Sequence, residues 1–158
     1  MEQAFALSPN VYDRFVTMYR QVWEPPSADP ALLELVRLRV AQLLKADAEL
    51  RIRHRPALDA GLTEEKVAAL RSWPTSPLFS ETEQAVLAFT EMFVIDAHAV
   101  TDEQCAAVDE RLSNGDAASV TMALAIFEAM TRFRLALDAE PPAGEGVLVI
   151  DPATDPLY

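Results

Sequence analysis

Between Glu34 and Arg55 the chain concentrates the side chains that can do chemistry: Glu34, Arg37, Arg39, Lys45, Asp47, Glu49, Arg51, Arg53, His54 and Arg55. Nine of the residues from Leu32 to Leu44 are aliphatic, yet Glu34, Arg37 and Arg39 are set among them. A carboxylate or guanidinium carried into apolar surroundings costs several kcal/mol unless it is matched. Such ions therefore either pair internally or are kept for a ligand.

Each candidate has a chemical reading and a plainer one. Glu34 in an apolar wall is expected to have a raised carboxyl pKa, which suits a general acid or base near neutral pH; the plainer reading pairs it with Arg37. Arg51, with Arg53 or Arg55, offers planar forks that match a substrate carboxylate. Against this, Glu49 with Arg53 and Asp47 with Arg51 are spaced for ion pairs on a helix. His54 titrates near neutrality and is a candidate proton donor, though a lone histidine beside arginines is commonly a surface group. Tyr12, Tyr19 and Trp23 share one helix and either line a pocket over Glu34 or belong to the core. Glu128, Arg132 and Arg134 form a further charged set, and His98 beside Asp96 reads as structural.

Two histidines 44 positions apart with no cysteine or histidine companion are a poor metal signature. No metal or cofactor is expected. Glycine-rich phosphate loops and nucleophile elbows are absent from the sequence.

The elements that must position these residues are helical. Ser8-Pro9 opens a first helix expected to bury Val11, Phe15, Met18, Tyr19 and Val22, with Pro25 and Pro26 ending it. Asp29-Pro30 opens the central helix, which runs to about Leu44 and carries Glu34. Asp47 is read as the cap of a further helix from Ala48, with Pro56 forcing a kink or break near Arg53 to Arg55. Gly61 stops that helix, and Thr63 caps a short helix to about Ser72. Trp73 to Phe79 reads as a connecting loop. Ser80 with Glu83 and Thr101 with Gln104 are capping boxes. After an Asn114-Gly115 turn, the last long helix spans Asp116 to about Leu137. Beyond it only Val147 to Ile150 can form a strand or latch, in a tail expected to wrap a neighbour or lie loosely on the surface.

A chain of 158 residues fits one domain that needs no disulfide to hold it together. With 51% apolar residues, only four glycines and much Ala and Leu, the expected class is all-α, of six to seven helices. A net charge of −12 argues against nucleic acid as a partner. No apolar run long enough for a membrane span and no leader-like N-terminus is read, and the single Cys105 suits a reducing cytoplasm.

A family resemblance rests on several segments. Glu34 followed by LVRLRVAQL (Leu35 to Leu43), ALDAGLTEEKVAAL (Ala57 to Leu70), SPLFSETEQAVLAFTE (Ser76 to Glu91) and a closing TRFRLALDAEPP (Thr131 to Pro142) resemble the carboxymuconolactone decarboxylase and alkylhydroperoxidase-D-like family. The likeness covers about residues 10 to 142. Peroxidase members carry Cys-x-x-Cys, a glutamate before it and a histidine after it. The matching positions here are Glu34, Ala46, Glu49 and Arg53, so the dithiol centre is missing. Decarboxylase members carry a segment similar to Glu-Leu-Arg-Met-His. Here Glu49-Leu50-Arg51-Ile52 is followed by Arg53, with His54 one place late. On a continuous helix that offset turns a side chain by about 100 degrees, away from the family histidine's position.

The resemblance implies an alkylhydroperoxidase-D-like helical domain over 1–142 with an irregular tail over 143–158. It implies a homo-oligomer, trimer or hexamer, and a cofactor-independent lyase, namely a decarboxylase, isomerase or dehydratase. The substrate would be a small anionic carboxylate or lactone. Glu34 and His54 are the catalytic candidates; Arg51, Arg53, Glu49, Tyr12 and Trp23 are the substrate-binding ones. The alternative is a non-catalytic member that binds a small ligand or serves assembly. A cavity holding Glu34 with an unpaired arginine would favour catalysis, and fully matched carboxylates would favour assembly.

Overall fold

The computed structural model describes residues 8–24, 28–139 and 145–154. Among them are seven α-helices: α1 Pro9–Trp23, α2 Pro30–Leu44, α3 Arg55–Asp59, α4 Glu64–Ala69, α5 Glu81–Asp96, α6 Asp102–Asp109 and α7 Asn114–Ala136. Three 3-10 turns (Glu49–Arg51, Leu70–Thr75 and Ala97–Ala99) and two short strands, β1 Ile52–His54 and β2 Leu148–Ile150, complete the described chain. The expected all-α class is what forms.

Helix α2 is central, packed between α5 and α7. Its sequence explains why: apolar residues surround it, so it has no face suited to water. Leu33, Val36 and Val40 join Tyr19, Trp23, Val86, Leu124 and Phe127 in one core. Leu35 and Leu38 join Ala57, Leu62, Leu70, Trp73, Phe79 and Leu87 in a second. Asp29 starts α2 by accepting the Ala31 N–H at 2.9 Å. Lys45 ends it in the left-handed conformation, with φ of 58°.

Both anticipated capping boxes form, at Ser80 with Glu83 and at Thr101 with Gln104. Gly61, with φ of +94°, ends the stretch after α3 in a conformation that side chains resist.

Several expectations need correction. In α1 the buried residues are Val16, Tyr19 and Trp23, whereas Val11 and Met18 are exposed. The two large aromatics four apart set the helix's rotation, because they have the most apolar area to remove from water. Ser8 caps α1 through its carbonyl, which accepts from Val11 and Tyr12, and its side chain makes no cap bond. The expected loop at Trp73 to Phe79 is in part a 3-10 turn, Leu70–Thr75, and both Trp73 and Phe79 are buried. Helix α7 starts at Asn114, with the Ser113 side chain accepting the Asp116 N–H.

The largest departure is at 48–54, where no α-helix forms. A 3-10 turn gives way to strand β1, and α3 begins only at Arg55. Pro56 accounts for part of this, since it cannot donate in a helix interior. The rest is due to Arg37, whose guanidinium takes the Glu49 and Ile52 carbonyls at 3.2 and 2.8 Å. Strand β1 instead pairs in parallel with β2, Ile52 opposite Leu148 and His54 opposite Ile150. Thus the tail's strand docks on its own chain.

Candidate functional site

Glu34 is fully buried in the second turn of α2 and surrounded by donors. Arg37, one turn on, binds it with two prongs, Nε to Oε2 at 2.8 Å and Nη2 to Oε1 at 2.7 Å. His54 supplies its ring Nδ1 to Oε2 at 2.9 Å and its backbone N–H to Oε1 at 3.3 Å. Each carboxylate oxygen thus accepts two hydrogen bonds. Burial by itself would raise the Glu34 pKa, but the charge of Arg37 and the hydrogen bonds from Arg37 and His54 outweigh it and hold the carboxyl well below its usual range. The expected raised pKa is therefore corrected: Glu34 is a fixed anion.

That anion sets the state of His54. A carboxylate only accepts, so Nδ1 carries a proton. Burial, with the nearby positive charges of Arg37 and Arg134, outweighs the pull of Glu34 and lowers the histidine's pKa. The ring is therefore neutral at neutral pH, and Nε2 is left as an acceptor. Tyr19 meets it with its hydroxyl at 2.9 Å, donating. Burial pushes the Tyr19 phenol up to about 12, against the opposing charges of Arg134 and Arg37, so it keeps its proton.

Aromatic rings hold this arrangement in place. Trp23 stacks on the His54 ring with centroids 4.1 Å apart and an interplanar angle of 11°. Phe127 of α7 packs against both Tyr19 and Trp23, at 6.3 and 5.6 Å. The Trp23 Nε1 is buried and has no acceptor among the described residues.

Arg37 extends the network. Its five N–H groups reach Glu34, the Ile52 carbonyl, and the Glu49 carbonyl and carboxylate, the last at 3.4 Å. Glu49 also accepts from Nη1 of Arg134, at 2.5 Å, which ties in α7. The site therefore draws on α1, α2, α7 and the 49–54 segment.

The sequence candidates fall into two groups. Glu34, His54, Glu49 and Trp23 come together. Arg53 turns the other way, bound with two prongs to Glu64 at 2.9 Å and to the Leu50 and Ile52 carbonyls. Arg51 donates to the Gly146 carbonyl at 3.1 Å. Tyr12 packs near Val16 and Met130. The helical pairs expected between Glu49 and Arg53 and between Asp47 and Arg51 do not form, because the segment is not a helix. No 100-degree offset arises either: with backbone angles of −85° and 130°, His54 is extended, and that lets it reach Glu34. Tyr19 was read as pocket or core and Arg37 as the plain partner of Glu34, but neither they nor Arg134 stood among the catalytic or substrate-binding candidates. Their signal was weak, an aromatic stripe and two arginines in apolar helices.

A cleft of about 150 Å³ lies between α1 and α7, lined by Met18, Gln21, Val22, Ser119, Met122, Ala123 and Ile126. No group of three or more metal-ligating side chains occurs among the described residues. No described helix is long and apolar enough to cross a membrane.

Taken together, these features define an all-helical domain with a carboxylate-bound imidazole at its centre. The chain belongs to the carboxymuconolactone decarboxylase family, whose profile matches residues 9–92. A protein of unknown function from Agrobacterium tumefaciens, described as a candidate antioxidant-defence protein AhpD, has the same fold. The TM-score is 0.69 at 17% identity, covering 89% of this chain and 97% of that one. No curated protein matches the chain.

Proposed function

We propose that this protein is a cofactor-independent acid/base lyase or isomerase acting on a small anionic carboxylate or lactone, with His54 as the proton-transferring group and Glu34 as its orienting anion. The observation that carries the proposal is the pinned imidazole: Nδ1–H on the Glu34 carboxylate and Nε2 turned to the Tyr19 hydroxyl. A neutral imidazole held in one tautomer is a base, so proton abstraction beside a carbonyl comes first. Of the three reactions the family resemblance implies, isomerisation and dehydration fit that order better than decarboxylation, which begins with loss of carbon dioxide. The proton taken by Nε2 leaves an imidazolium that Glu34 stabilises, and it returns to another atom of the substrate. Tyr19 covers Nε2 at rest, so the substrate's acidic C–H displaces it or passes its proton through the phenol.

With one cysteine in the chain, exposed Cys105, thiol peroxidase chemistry has neither a resolving partner nor a paired thiolate. The reading also includes a cytoplasmic homo-oligomer, by likeness to the family.

The full matching of the carboxylates favours the second reading, a non-catalytic family member, as expected for assembly. Every N–H of Arg37 and both oxygens of Glu34 are occupied by the chain itself, and Arg53 is committed to Glu64. Thermal shift against small lactones and dicarboxylates separates the two, since a ligand at 100 times its dissociation constant adds about 2.7 kcal/mol. Any binder is then incubated in deuterated water. Catalysis predicts deuterium at the carbon beside the carbonyl and its loss in His54→Asn; binding without exchange supports the non-catalytic reading.

A further inference from the structure

Tyr19 and His54 are 35 residues apart, and the C-terminal segment touches the elements that carry both. Strand β2 pairs with β1 so that Ile150, buried, lies opposite His54. At one end of the segment, Nε of Arg51 donates to the Gly146 carbonyl at 3.1 Å. At the other, Asp151 closes a turn by accepting the Ala153 N–H at 2.9 Å on its side chain and the Thr154 N–H at 3.0 Å on its carbonyl. That turn presents the carbonyl of buried Pro152 to Nε of Arg20, 3.1 Å away. Arg20 is the neighbour of Tyr19 on α1.

We propose that residues 146–152 form a clamp that fixes the Tyr19 hydroxyl on His54 Nε2, with Arg20 as its positioning residue. The inference rests on the reading of His54 as the proton-transferring group. Its physical basis is that His54 serves Glu34 with both its backbone N–H and its ring only while β1 is extended. A strand of three residues does not hold that shape unaided, and β2 is its ladder partner among the described residues. The same segment then reaches across to α1, so one strip of chain sets both ends of the Tyr19–His54 bond. Loosening either end uncovers Nε2.

The groups facing His54 are known from every side: Glu34 and Arg37 from α2, Tyr19 from α1 and Arg134 from α7, with Glu49 bridging the two arginines. Histidine titration by NMR therefore reads the clamp. In the full-length chain carrying His98→Asn, the remaining imidazole signal belongs to His54. Arg20→Ala and Ile150→Ala are expected to keep the helical signature. Their His54 titration should move upward toward the ordinary 6.5, because the ring loses cover and its Tyr19 donor. Arg20→Lys, which keeps a cationic donor, should restore much of the original titration. A merely structural tail would lower the melting temperature and leave the titration in place. If both alanine variants titrate as the parent does, the clamp is overturned. Turnover plays no part in this measurement, so a chain without lyase activity would end the functional reading and still decide the clamp.

Discussion

Two ion pairs of this protein are nearly identical in the sequence and opposite in consequence. Glu34 and Arg37 lie one turn apart on α2, as Glu128 and Arg132 do on α7, and their closest contacts are 2.7 and 2.8 Å. The α2 side chains are 0% and 4% exposed, while Arg132 is 55% exposed. Water screens the second pair and competes for it, so holding two long side chains together gains little. The first pair has lost that water, and each of its atoms must find a partner in the chain. This is why Arg37 also collects two carbonyls and a second carboxylate, and why His54 is drawn to Glu34. The lesson is that charge in a helix acquires a role through what is packed over it.

Breaking the buried pair should have the largest effect. Arg37→Met leaves Glu34 and Glu49 short of their donor in the interior, and we expect a loss of about 3–5 kcal/mol in denaturant unfolding. A loss below about 1 kcal/mol would place α2 in a much wetter environment than the burial of Glu34 and Arg37 gives it.

Acid should expose the same asymmetry. The folded pKa values of His54 and Glu34 lie below their ordinary values of 6.5 and 4.5. Below each ordinary value the unfolded chain binds more protons than the folded one, so stability falls as pH drops, first below 6.5 and again below 4.5. Tyr19 acts at the other end: between 10.0 and about 12 the unfolded phenol ionises and the folded one does not, so stability falls as pH rises. Unfolding free energy measured across pH checks this, and Tyr19→Phe should remove the alkaline part.

Tyr19→Phe also strips Nε2 of its buried donor, with an expected cost of about 1–3 kcal/mol at neutral pH. Retained stability in that variant would mean that another group or water reaches Nε2. Smallest of all is Arg132→Ala, expected to change stability by less than about 1 kcal/mol, with even that difference shrinking in high salt.

Much of the scaffold was legible because its signals are local. Asp29-Pro30, the capping boxes at Ser80 and Thr101, and the glycine at 61 each determine a boundary through bonds to residues a few positions away. Val147 to Ile150 was recognisable as a strand by its residue types, but its partner was not. The 48–54 segment was misread for the complementary reason. Its charges have helical spacing, and what prevents the helix, apart from Pro56, is an arginine 12 to 15 residues upstream taking its carbonyls.

From the sequence by itself came the all-helical class, the helix that carries Glu34, the absence of a dithiol pair and the family likeness, all of them matters of residue type and short-range spacing. Only the tertiary structure decided that Glu34 is a bound anion rather than a raised acid, that His54 meets it from a strand, and that Tyr19 covers the far nitrogen. The reason is that a pKa and a hydrogen-bond partner depend on desolvation and on groups brought together across tens of residues, which spacing along the chain does not encode.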